Sequence, residues 1–417
     1  MSIQPALPST SIWSQLRQSL NATVLVAALG YFVDLFDITL FGVVRVQSLK
    51  DLGVVIPEET LKYGVHLYNA QMIGMMIGGA LWGVLADRKG RLSVLFGSIL
   101  LYSIGNIANA FVQNVDQYIL CRFITGIGLA GELGAAITIV SESLPVHLRG
   151  IGTTFIATLG LSGSVAAAFF AQRIHWQMAY IAGGVMGLLL LVARLNLSES
   201  KLFLDMKKNN SHDGSWRLLF NGPRFLRYLR CILIGAPIYF ITGILFTFSP
   251  ELVKALGYMG EFSAANALMY GSFGLAIGDL IAGMLSQFLK SRKKAVFISL
   301  ATAFALFIFY IYFPHTTQEQ IYGICFGLGI AGGYWAVLIT MAAEQFGTNI
   351  RGTVATTIPN FVRGSAVIGT SLFMTLKSTF TSAQAATYIG AAWFVLAFVS
   401  LFLMKETFSR NLDFLEE

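Results

Sequence analysis

The sequence predicts an all-α membrane protein of twelve transmembrane helices, arranged as two pseudo-symmetric six-helix bundles. Composition is the first observation behind this prediction. Of the 417 residues, 55% are hydrophobic and 12% are charged, and the mean hydropathy is +0.69. A soluble domain carries roughly twice that charged fraction. Because each bilayer crossing needs about 20 apolar residues, the chain has enough of them for about eleven or twelve spans.

The twelve helices follow from the apolar runs between charged or turn-rich breaks. They are predicted near residues 22 to 46, 64 to 86, 93 to 113, 116 to 140, 151 to 171, 177 to 195, 228 to 249, 263 to 289, 295 to 313, 320 to 343, 352 to 376 and 386 to 404. Most Lys and Arg residues lie on the side that both termini share, so the positive-inside rule predicts cytoplasmic termini. We therefore expect a monomeric multi-pass protein of a cell (inner) membrane, in contact with the lipid bilayer. The net charge of +7 reflects topology, and a nucleic-acid partner is excluded as the first interpretation.

An internal repeat is the second observation. At an offset of 200 residues, Gly74 and Gly78 in helix 2 match Gly274 and Gly278 in helix 8. The repeat predicts a first bundle over residues 1–195, a cytoplasmic linker over 196–227 and a second bundle over 228–417. Two parallel six-helix bundles with a site between them are a transporter architecture. Glycines spaced by four allow close helix packing, and their match in both halves predicts a moving seam.

Motifs for other functions are absent from the sequence. There is no Gly-Lys dipeptide and hence no phosphate loop, no HExxH and no GxSxG, and the five His are scattered. Cys121, Cys231 and Cys325 lie in apolar segments without metal-ligand spacing. The sequence therefore predicts no enzyme, no cofactor and no metal site.

Two motifs carry a family resemblance. GVLADRKGR, from Gly83 to Arg91, resembles the signature of the major facilitator superfamily in the loop between helices 2 and 3. RFITGIG, from Arg122 to Gly128, is similar to the family's second motif, and the sequence that follows is similar to the metabolite:proton symporter and synaptic-vesicle-like branches. The resemblance implies alternating access by two rocking bundles, and a cavity lined mainly by helices 1, 4, 7 and 10. The second copy of the signature has Gln287 in place of Asp87, which indicates fewer charge contacts at that gate.

Six ionisable residues fall at bilayer depth, where each costs at least ~2.5 kcal/mol. They are Asp34, Asp37, Arg122, Glu132, Asp279 and Arg363. Asp34 and Asp37 share one helix face and have two interpretations. Either they form a buried pair that neutralises Arg122, or one of them carries a coupling proton, since burial disfavours its charged form and a nearby Arg favours it. Similar pairs occur in proton-coupled members of the family.

The remaining buried charges also have two interpretations each. Glu132 either borders the same cavity as Arg122 or is a hydrogen-bonded acid at a helix crossing. Arg363 either binds a substrate carboxylate or forms a gating lock with Asp279. The predicted proton-coupling set is Asp34, Asp37, Arg122 and Glu132.

Aromatic residues on helices 7 and 10 complete the predicted substrate site. Pro and Gly loosen these helices, which is tolerated where a cavity or a neighbouring helix satisfies the freed backbone groups. Tyr239, Tyr334 and Trp335 would then wall a small substrate, although packing alone is the alternative. The predicted substrate-binding set is Asp34, Glu132, Tyr239, Tyr334, Trp335 and Arg363.

Charged residues also stand at the inner ends of the helices. They are Asp87, Arg88, Arg91, Glu142, Arg149, Glu344 and Arg351. At an offset of 202 residues, Glu142 and Arg149 match Glu344 and Arg351. They serve topology and solvation only, or, as the family pattern implies, they form salt bridges that hold the outward-facing state.

These observations predict a proton-coupled symporter that takes up a small polar metabolite. Four buried acids against two buried bases favour a substrate with a positive group, so an amino acid, possibly a basic one, is the first prediction. One alternative is a mono- or dicarboxylate:proton symporter with Arg122 and Arg363 as anchors. Another is a nutrient sensor that binds its ligand without translocating it.

Overall fold

The computed structural model describes residues 22–89, 91–134, 146–195, 219, 221–314, 317–408 and 416. Every regular element in these ranges is helical. The first half contains α1 (Ala22–Asp51), α2 (Pro57–Lys89), α3 (Arg91–Asn109), α4 (Val115–Leu129), α5 (Val146–Phe170) and α6 (Trp176–Arg194). The second half contains α7 (Gly222–Phe240), α8 (Ala264–Phe288), α9 (Arg292–Tyr312), α10a (Gln318–Gly332), α10b (Trp335–Glu344), α11 (Thr348–Lys377) and α12 (Ser382–Leu403).

The all-α architecture of twelve helices predicted from the sequence is confirmed, with helices 7 and 10 interrupted. Helix α7 continues as a π-helical segment, Ile241–Thr247, and then as a short helix, Ser249–Ala255. Within the described ranges, nine helical stretches are long and apolar enough to cross a membrane. The helices that do not meet this length and apolarity criterion are α4, α5 and α11. The lower apolarity of α11 reflects a buried polar row that includes Thr357, Asn360 and Arg363.

Several helices begin earlier than their apolar runs. Helix α2 begins at Pro57 where the sequence predicts residue 64, and α7 begins at Gly222 inside the predicted 196–227 linker. Both starts have Pro in the first turn, where its missing N–H is not needed, and α2 adds Glu58 and Glu59 beside the positive end of the helix dipole. Counting apolar residues misses such polar turns.

The predicted helix over 320 to 343 is broken in the structure. Helix α10a ends at Gly332 and α10b begins at Trp335. Two consecutive glycines, Gly332 and Gly333, weaken helix propensity at this point. The break therefore divides helix 10 into two half-helices.

Packing divides the helices into two bundles with a two-fold pattern. In the first bundle α1 packs on α5, α2 on α4, and α3 on α4 and α6. In the second, α8 packs on α10a, α7 on α11 and α12, and α9 on α10a and α12. The bundles meet where α2 packs against α11 and α5 against α8. Because the repeat relates α2 to α8 and α5 to α11, these two contacts are equivalent.

The matched glycines lie inside the bundles, so the prediction that they mark a moving seam is wrong. A Cβ at Gly74 would clash with the carbonyl oxygen of Phe123 on α4, and one at Gly274 with that of Phe326 on α10a. They therefore let the backbones within each bundle touch. A different glycine lies between the bundles: a Cβ at Gly79 would come within 2.8 Å of Asn360 on α11.

The side of the molecule where α1 ends and α2 begins is called the outer end below, after the predicted topology. At the opposite, inner end, Glu406 joins α12 to α9. Its carboxylate accepts hydrogen bonds from the Ser291 hydroxyl and from the backbone N–H of Arg292, at 2.9 Å for the latter. Burial alone would raise the pKa of Glu406, but the hydrogen bonds from Ser291, Phe408, Arg292 and Thr407 lower it below its ordinary value.

The lowered pKa predicts how stability depends on pH. A carboxylate whose pKa is depressed by folding stabilises the protein above its unfolded value, about 4.3 for Glu, and this contribution is lost as the pH falls through the lower folded value. We expect Glu406→Gln to lower the melting temperature at pH 7, and the gap between wild type and variant to narrow as the pH falls from 7 to below about 4.3. Thermal unfolding in detergent across this range measures the gap.

The matched control is Glu261→Gln, which removes an exposed carboxylate from the loop before α8. We expect it to leave the melting temperature unchanged. A constant gap between wild type and Glu406→Gln from pH 7 to pH 3 would contradict the assignment.

Candidate functional site

An ion pair connects the two bundles at the centre of the molecule. Asp34 lies in the middle of α1, and Arg363 lies in the middle of α11. Arg363 Nη2 donates to Asp34 Oδ2 at 3.1 Å, and Arg363 Nε donates to the hydroxyl of Tyr239 on α7 at 3.0 Å. Both charged side chains are at most 1% exposed. The first half thus supplies the acid and the second half supplies the base and the phenol.

Unused polar atoms surround this pair. Trp335, the first residue of α10b, packs edge-on against Tyr239 with ring centroids 5.9 Å apart. Asp34 Oδ1, Arg363 Nη1 and Trp335 Nε1 are buried and have no hydrogen-bond partner among the residues that the structure describes. Buried polar atoms are nearly always bonded to protein or water, and exceptions require an explanation. Two free donors and one free acceptor beside a central ion pair suit a small polar ligand.

A second, looser pair lies within the first bundle. Arg122 Nη1 is 3.9 Å from Asp37 Oδ2, and Arg122 Nη2 donates to the side-chain oxygen of Gln71. Among the described residues, neither carboxylate oxygen of Asp37 has a hydrogen-bond partner of good geometry, although the Asn106 side chain lies close enough to interact with it. The guanidinium also lies 5.2 Å from the centre of the Phe41 ring. Asp37 is thus held near a cation without being fixed by it.

The structure changes two predicted pairings. Asp34 and Asp37 do not share Arg122, because Asp34 bonds Arg363. The predicted lock between Arg363 and Asp279 is wrong: Asp279 Oδ1 accepts from the backbone N–H of Ala336 at 2.8 Å. This N–H belongs to the first turn of α10b, where the break in helix 10 leaves backbone donors without intrahelical partners. A carboxylate at such a position caps the half-helix.

Glu132 has a partner that the sequence did not reveal. Arg194, at the end of α6, donates to both of its carboxylate oxygens at 3.1 Å and 2.9 Å, and Ser98 adds a bond at 3.2 Å. Its oxygens therefore bond within the first bundle, which favours the hydrogen-bonded acid over a shared cavity with Arg122. Tyr334 is fully buried and donates to the carbonyl oxygen of Ile234 at 2.8 Å. It joins the break in helix 10 to α7 and does not contact the ion pair through any of the described hydrogen bonds.

A further ion pair at the outer end was also missed. Arg45 on α1 is fully buried, and its guanidinium meets the carboxylate of Glu251 through contacts of 2.7 Å and 3.0 Å. It also donates to the carbonyl oxygen of Thr247 at 3.3 Å. Arg45 lies near the end of the predicted helix over residues 22 to 46 and is not among the six charges predicted at bilayer depth. The repeat gives one signal for the pair: at an offset of 205 residues, at which Asp34 matches Tyr239, Arg45 matches Pro250, the neighbour of Glu251.

The central pair is closed off from both ends in the described residues. At the inner end, Trp335 and Ile339 of α10b pack with Tyr31 and Leu35 of α1. At the outer end, Arg45 and the residues around it bridge the bundles. As far as the described residues line the path, a ligand reaches Asp34 only if one of these two sets of contacts separates.

The predicted inner gate is only partly described. Glu344 pairs with Arg292 at 3.4 Å, within the second bundle. Arg351 Nε donates to the carbonyl oxygens of Ala343 and Phe346, both at 3.2 Å, at the end of helix 10. The side chains that lie outside the described residues are Asp87, Arg88, Arg91, Glu142 and Arg149. Their role as a gate stays a prediction.

Comparisons with known proteins agree with this architecture. The family described as Major Facilitator Superfamily matches residues 27–369. The sialic acid transporter NanX of Escherichia coli K12 is 26% identical over 97% of this chain and 95% of its own length. The niacin transporter NiaP of Acinetobacter baylyi is 27% identical, covering 78% of this chain and 80% of its own.

Two more comparisons add to these. The 4-hydroxybenzoate transporter PcaK of Pseudomonas putida is 33% identical over 38% of each chain. Among solved structures, the D-xylose-proton symporter has a TM-score of 0.71 and 17% identity, over 94% of this chain and 99% of its own. The structural similarity shows that the fold is shared.

The outer ion pair yields a testable prediction. Glu251→Gln leaves Arg45 buried without a charged partner, at a cost of about 3 to 5 kcal/mol when the outer end is closed. We expect the outer ends to separate more often, and a cysteine placed at Leu268, which is buried against Gly42 on α1, to react at least about tenfold faster with an impermeant maleimide. The reaction is measured after Cys121, Cys231 and Cys325 are replaced by Ser.

The control is Asp51→Asn at the same end of α1, which removes a negative charge within the first bundle while its amide oxygen can still accept the hydrogen bond from Trp176, 2.8 Å in the wild type. We expect its labelling rate to match wild type. Equal rates for Glu251→Gln and wild type would show that the pair does not hold the bundles together.

Proposed function

Because the chain belongs to the Major Facilitator Superfamily, and is therefore a multi-pass secondary transporter and not an enzyme, we propose that it imports a small organic acid together with a proton. The observation that carries this proposal is the Asp34–Arg363 pair between the bundles, with unused donors on Arg363 and Trp335. The proposal places the protein in a bacterial inner membrane as a monomer, with both termini cytoplasmic and the two bundles divided at the 196–227 linker.

Arg363 is the proposed anchor for the substrate carboxylate. A guanidinium presents two parallel N–H donors that fit a carboxylate. In the structure one of them, Nη2, is used by Asp34, while Nη1 is free. The substrate carboxylate would take the place of Asp34. The Trp335 N–H offers a further donor, and the rings of Tyr239 and Trp335 offer walls against which a planar ring can pack.

The same pair supplies the proposed coupling. Asp34 and the substrate carboxylate compete for Arg363, so an anion binds best once Asp34 is protonated and releases the guanidinium. Proton and substrate then stabilise each other's binding, as linkage between two sites requires. Because Asp34 and Arg363 lie in different bundles, exchange of one partner for another changes the contact across the interface.

The charge balance of the buried residues no longer favours a cationic substrate. The sequence count set four acids against two bases, but Arg45 and Arg194 are also fully buried. Each of the four arginines has an acidic partner. The amino-acid prediction therefore loses its support. The relatives' names, sialic acid, niacin and 4-hydroxybenzoate transporter, also refer to carboxylic acids, which supports the organic-anion alternative.

Asp37 and Arg122 are the second proposed proton site. Asp37 is held only loosely, by Arg122 at 3.9 Å and by the neighbouring Asn106 side chain, so protonation there disturbs few of the contacts described. Asp34 is the first choice because its protonation directly frees the substrate anchor. Glu132 comes third, since Arg194 already occupies both of its oxygens. At the inner end, Asp87, Arg88, Arg91, Glu142 and Arg149 are proposed gate residues by family pattern alone.

The proposed coupling predicts a specific defect in Asp34→Asn. The amide keeps the shape of a protonated acid but cannot release a proton. We expect the variant to exchange labelled substrate at equal concentrations across proteoliposomes, while uphill accumulation driven by a pH gradient falls to the level seen with a protonophore. Asp37→Asn is assayed beside it.

Three outcomes distinguish the possibilities. If Asp34→Asn accumulates like wild type and Asp37→Asn does not, the proton site is Asp37. If both accumulate normally, neither acid carries the proton. If wild-type protein binds an organic acid but shows no flux, the chain is a sensor and the transport proposal fails.

The anchor role of Arg363 predicts a loss of binding. Arg363→Lys keeps the charge but loses the planar pair of donors. A charge-assisted hydrogen bond is worth about 1.5 to 3 kcal/mol, so we expect the Kd for a monocarboxylate such as nicotinate or 4-hydroxybenzoate to rise roughly 10- to 150-fold. Calorimetry on purified protein measures it. Trp335→Phe, which keeps the ring and removes only the N–H, is expected to weaken binding about two- to tenfold. Unchanged affinity in Arg363→Lys would remove Arg363 from the substrate site.

A further inference from the structure

We propose that a groove between the inner ends of α9 and α12 binds an anionic phospholipid. The groove has a volume of about 770 Å³, which falls in the range of about 300 to 1,000 Å³ typical of ligand pockets. It lies at the periphery of the second bundle, away from the Asp34–Arg363 pair. The inference depends on the membrane setting of the chain and not on the identity of its substrate.

The lining of the groove fits an acyl chain. Its walls are apolar and include Phe297 and Ile298 from α9 and Phe398, Val399 and Phe402 from α12. Phe297 and Phe398 pack edge-on with ring centroids 5.7 Å apart and brace the two helices against each other. The rim of the groove that faces away from the protein is well exposed, since Phe402 is 84% and Val399 52% accessible. An exposed apolar surface on a membrane helix faces lipid, so the groove opens to hydrocarbon.

Two lysines at the inner end of the groove select the headgroup. Lys293 Nζ donates to the carbonyl oxygens of Phe402 at 3.1 Å and Met404 at 2.5 Å. An ammonium group has three donors, so one is left for another acceptor. Lys294 also lines the groove; it is exposed, and its ammonium has no partner among the described residues. Lys290, which is exposed and follows Leu289 of the groove lining in sequence, is a third basic residue at this end.

Glu406 is the acid closest in sequence to the inner end of the groove, but its carboxylate does not pair with the lysine side chains. The carboxylate of Glu406 is directed at the start of α9, where it accepts from Ser291 and from the backbone N–H groups of Arg292 and Lys293. The amino end of α9 is therefore already occupied by an anion of the chain itself. A lipid phosphate would be held by the lysine side chains. Basic pockets between transmembrane helices at the cytoplasmic side are suited to anionic headgroups.

The test compares two lipids of equal chain length, phosphatidylglycerol and phosphatidylcholine, added to the purified full-length protein in detergent. A ligand that binds only the folded state raises the melting temperature. We expect phosphatidylglycerol to raise it more than phosphatidylcholine, and native mass spectrometry to show a retained phosphatidylglycerol. Glycerol 3-phosphate, a headgroup without acyl chains, is expected to have no effect, which separates a lipid site from a simple phosphate site.

Variants locate the site. Each lysine near an anionic lipid surface contributes roughly a fivefold change in affinity, so Lys290→Gln/Lys294→Gln is expected to weaken phosphatidylglycerol binding about 25-fold. Val399→Trp fills the groove without adding charge and is expected to displace the lipid. Lys254→Gln, an exposed lysine at the outer end, is the matched control and is expected to bind like wild type.

Four results would overturn the proposal. They are equal stabilisation of wild type by both lipids, stabilisation by glycerol 3-phosphate alone, a preference for phosphatidylglycerol that survives both the lysine variant and Val399→Trp, and an equal loss of binding in the Lys254→Gln control. The last would assign the effect to overall surface charge.

Discussion

An ion pair buried between two halves of a protein constrains everything around it. Arg363 and Asp34 are at most 1% exposed and belong to different bundles. Removing the partner of a buried charge costs about 3 to 5 kcal/mol. The bundles therefore separate at this point only if another anion replaces Asp34, if a proton neutralises it, or if water enters. Transport requires such a separation. The pair therefore makes the free energy of separating the bundles depend on the ligands that can replace or neutralise Asp34.

The scaffold is symmetric, but the chemistry placed on it is not. The repeat relates α2 to α8 and α5 to α11, and both resulting interfaces are present. At the centre, however, Asp34 in the first half corresponds to Tyr239 in the second at an offset of 205. The first half supplies the titratable acids Asp34 and Asp37. The second supplies the donors of Arg363, Tyr239 and Trp335. Two structurally similar halves can thus carry a proton site in the first half and a substrate anchor in the second.

The sequence predicted the fold better than the pairings. Composition, spacing and the repeat were sufficient for twelve helices, because apolar length and bilayer thickness leave few alternatives. Four of the six intramembrane charges that the sequence singled out have a partner that it did not predict: Asp34, Glu132, Asp279 and Arg363. For Arg122 and Asp37 the neighbour was anticipated. Partner choice depends on helix rotation, which spacing does not specify. Asp279 shows this most clearly, since its acceptor role exists only because helix 10 breaks at Gly333.

Arg45 and Arg194 were missed for a different reason. Both stand near the ends of their helices, where a cation is expected to reach the headgroups, yet both are fully buried. Each is buried because an acid meets it: Glu251 across the bundle interface and Glu132 within the first bundle. Their burial is seen only in the tertiary structure, although the repeat already places Glu251 near Arg45. This burial also reverses the substrate argument, because two more buried bases remove the excess of acid on which a cationic substrate depended.

The need to keep the central site neutral then relates the charge of the substrate to the number of protons carried with it. The Asp34–Arg363 pair is neutral as a unit, and a buried site that changes its net charge incurs a desolvation cost. On the proposed mechanism, one proton on Asp34 and one carboxylate on Arg363 leave the unit neutral, which favours a monocarboxylate carried with one proton. A dicarboxylate would require a second positive charge. Asp37, on the same face of α1 and only loosely paired with Arg122 at 3.9 Å, is the next acid that could take a second proton. The two acids on one face of α1 would thus allow the same scaffold to balance either substrate charge.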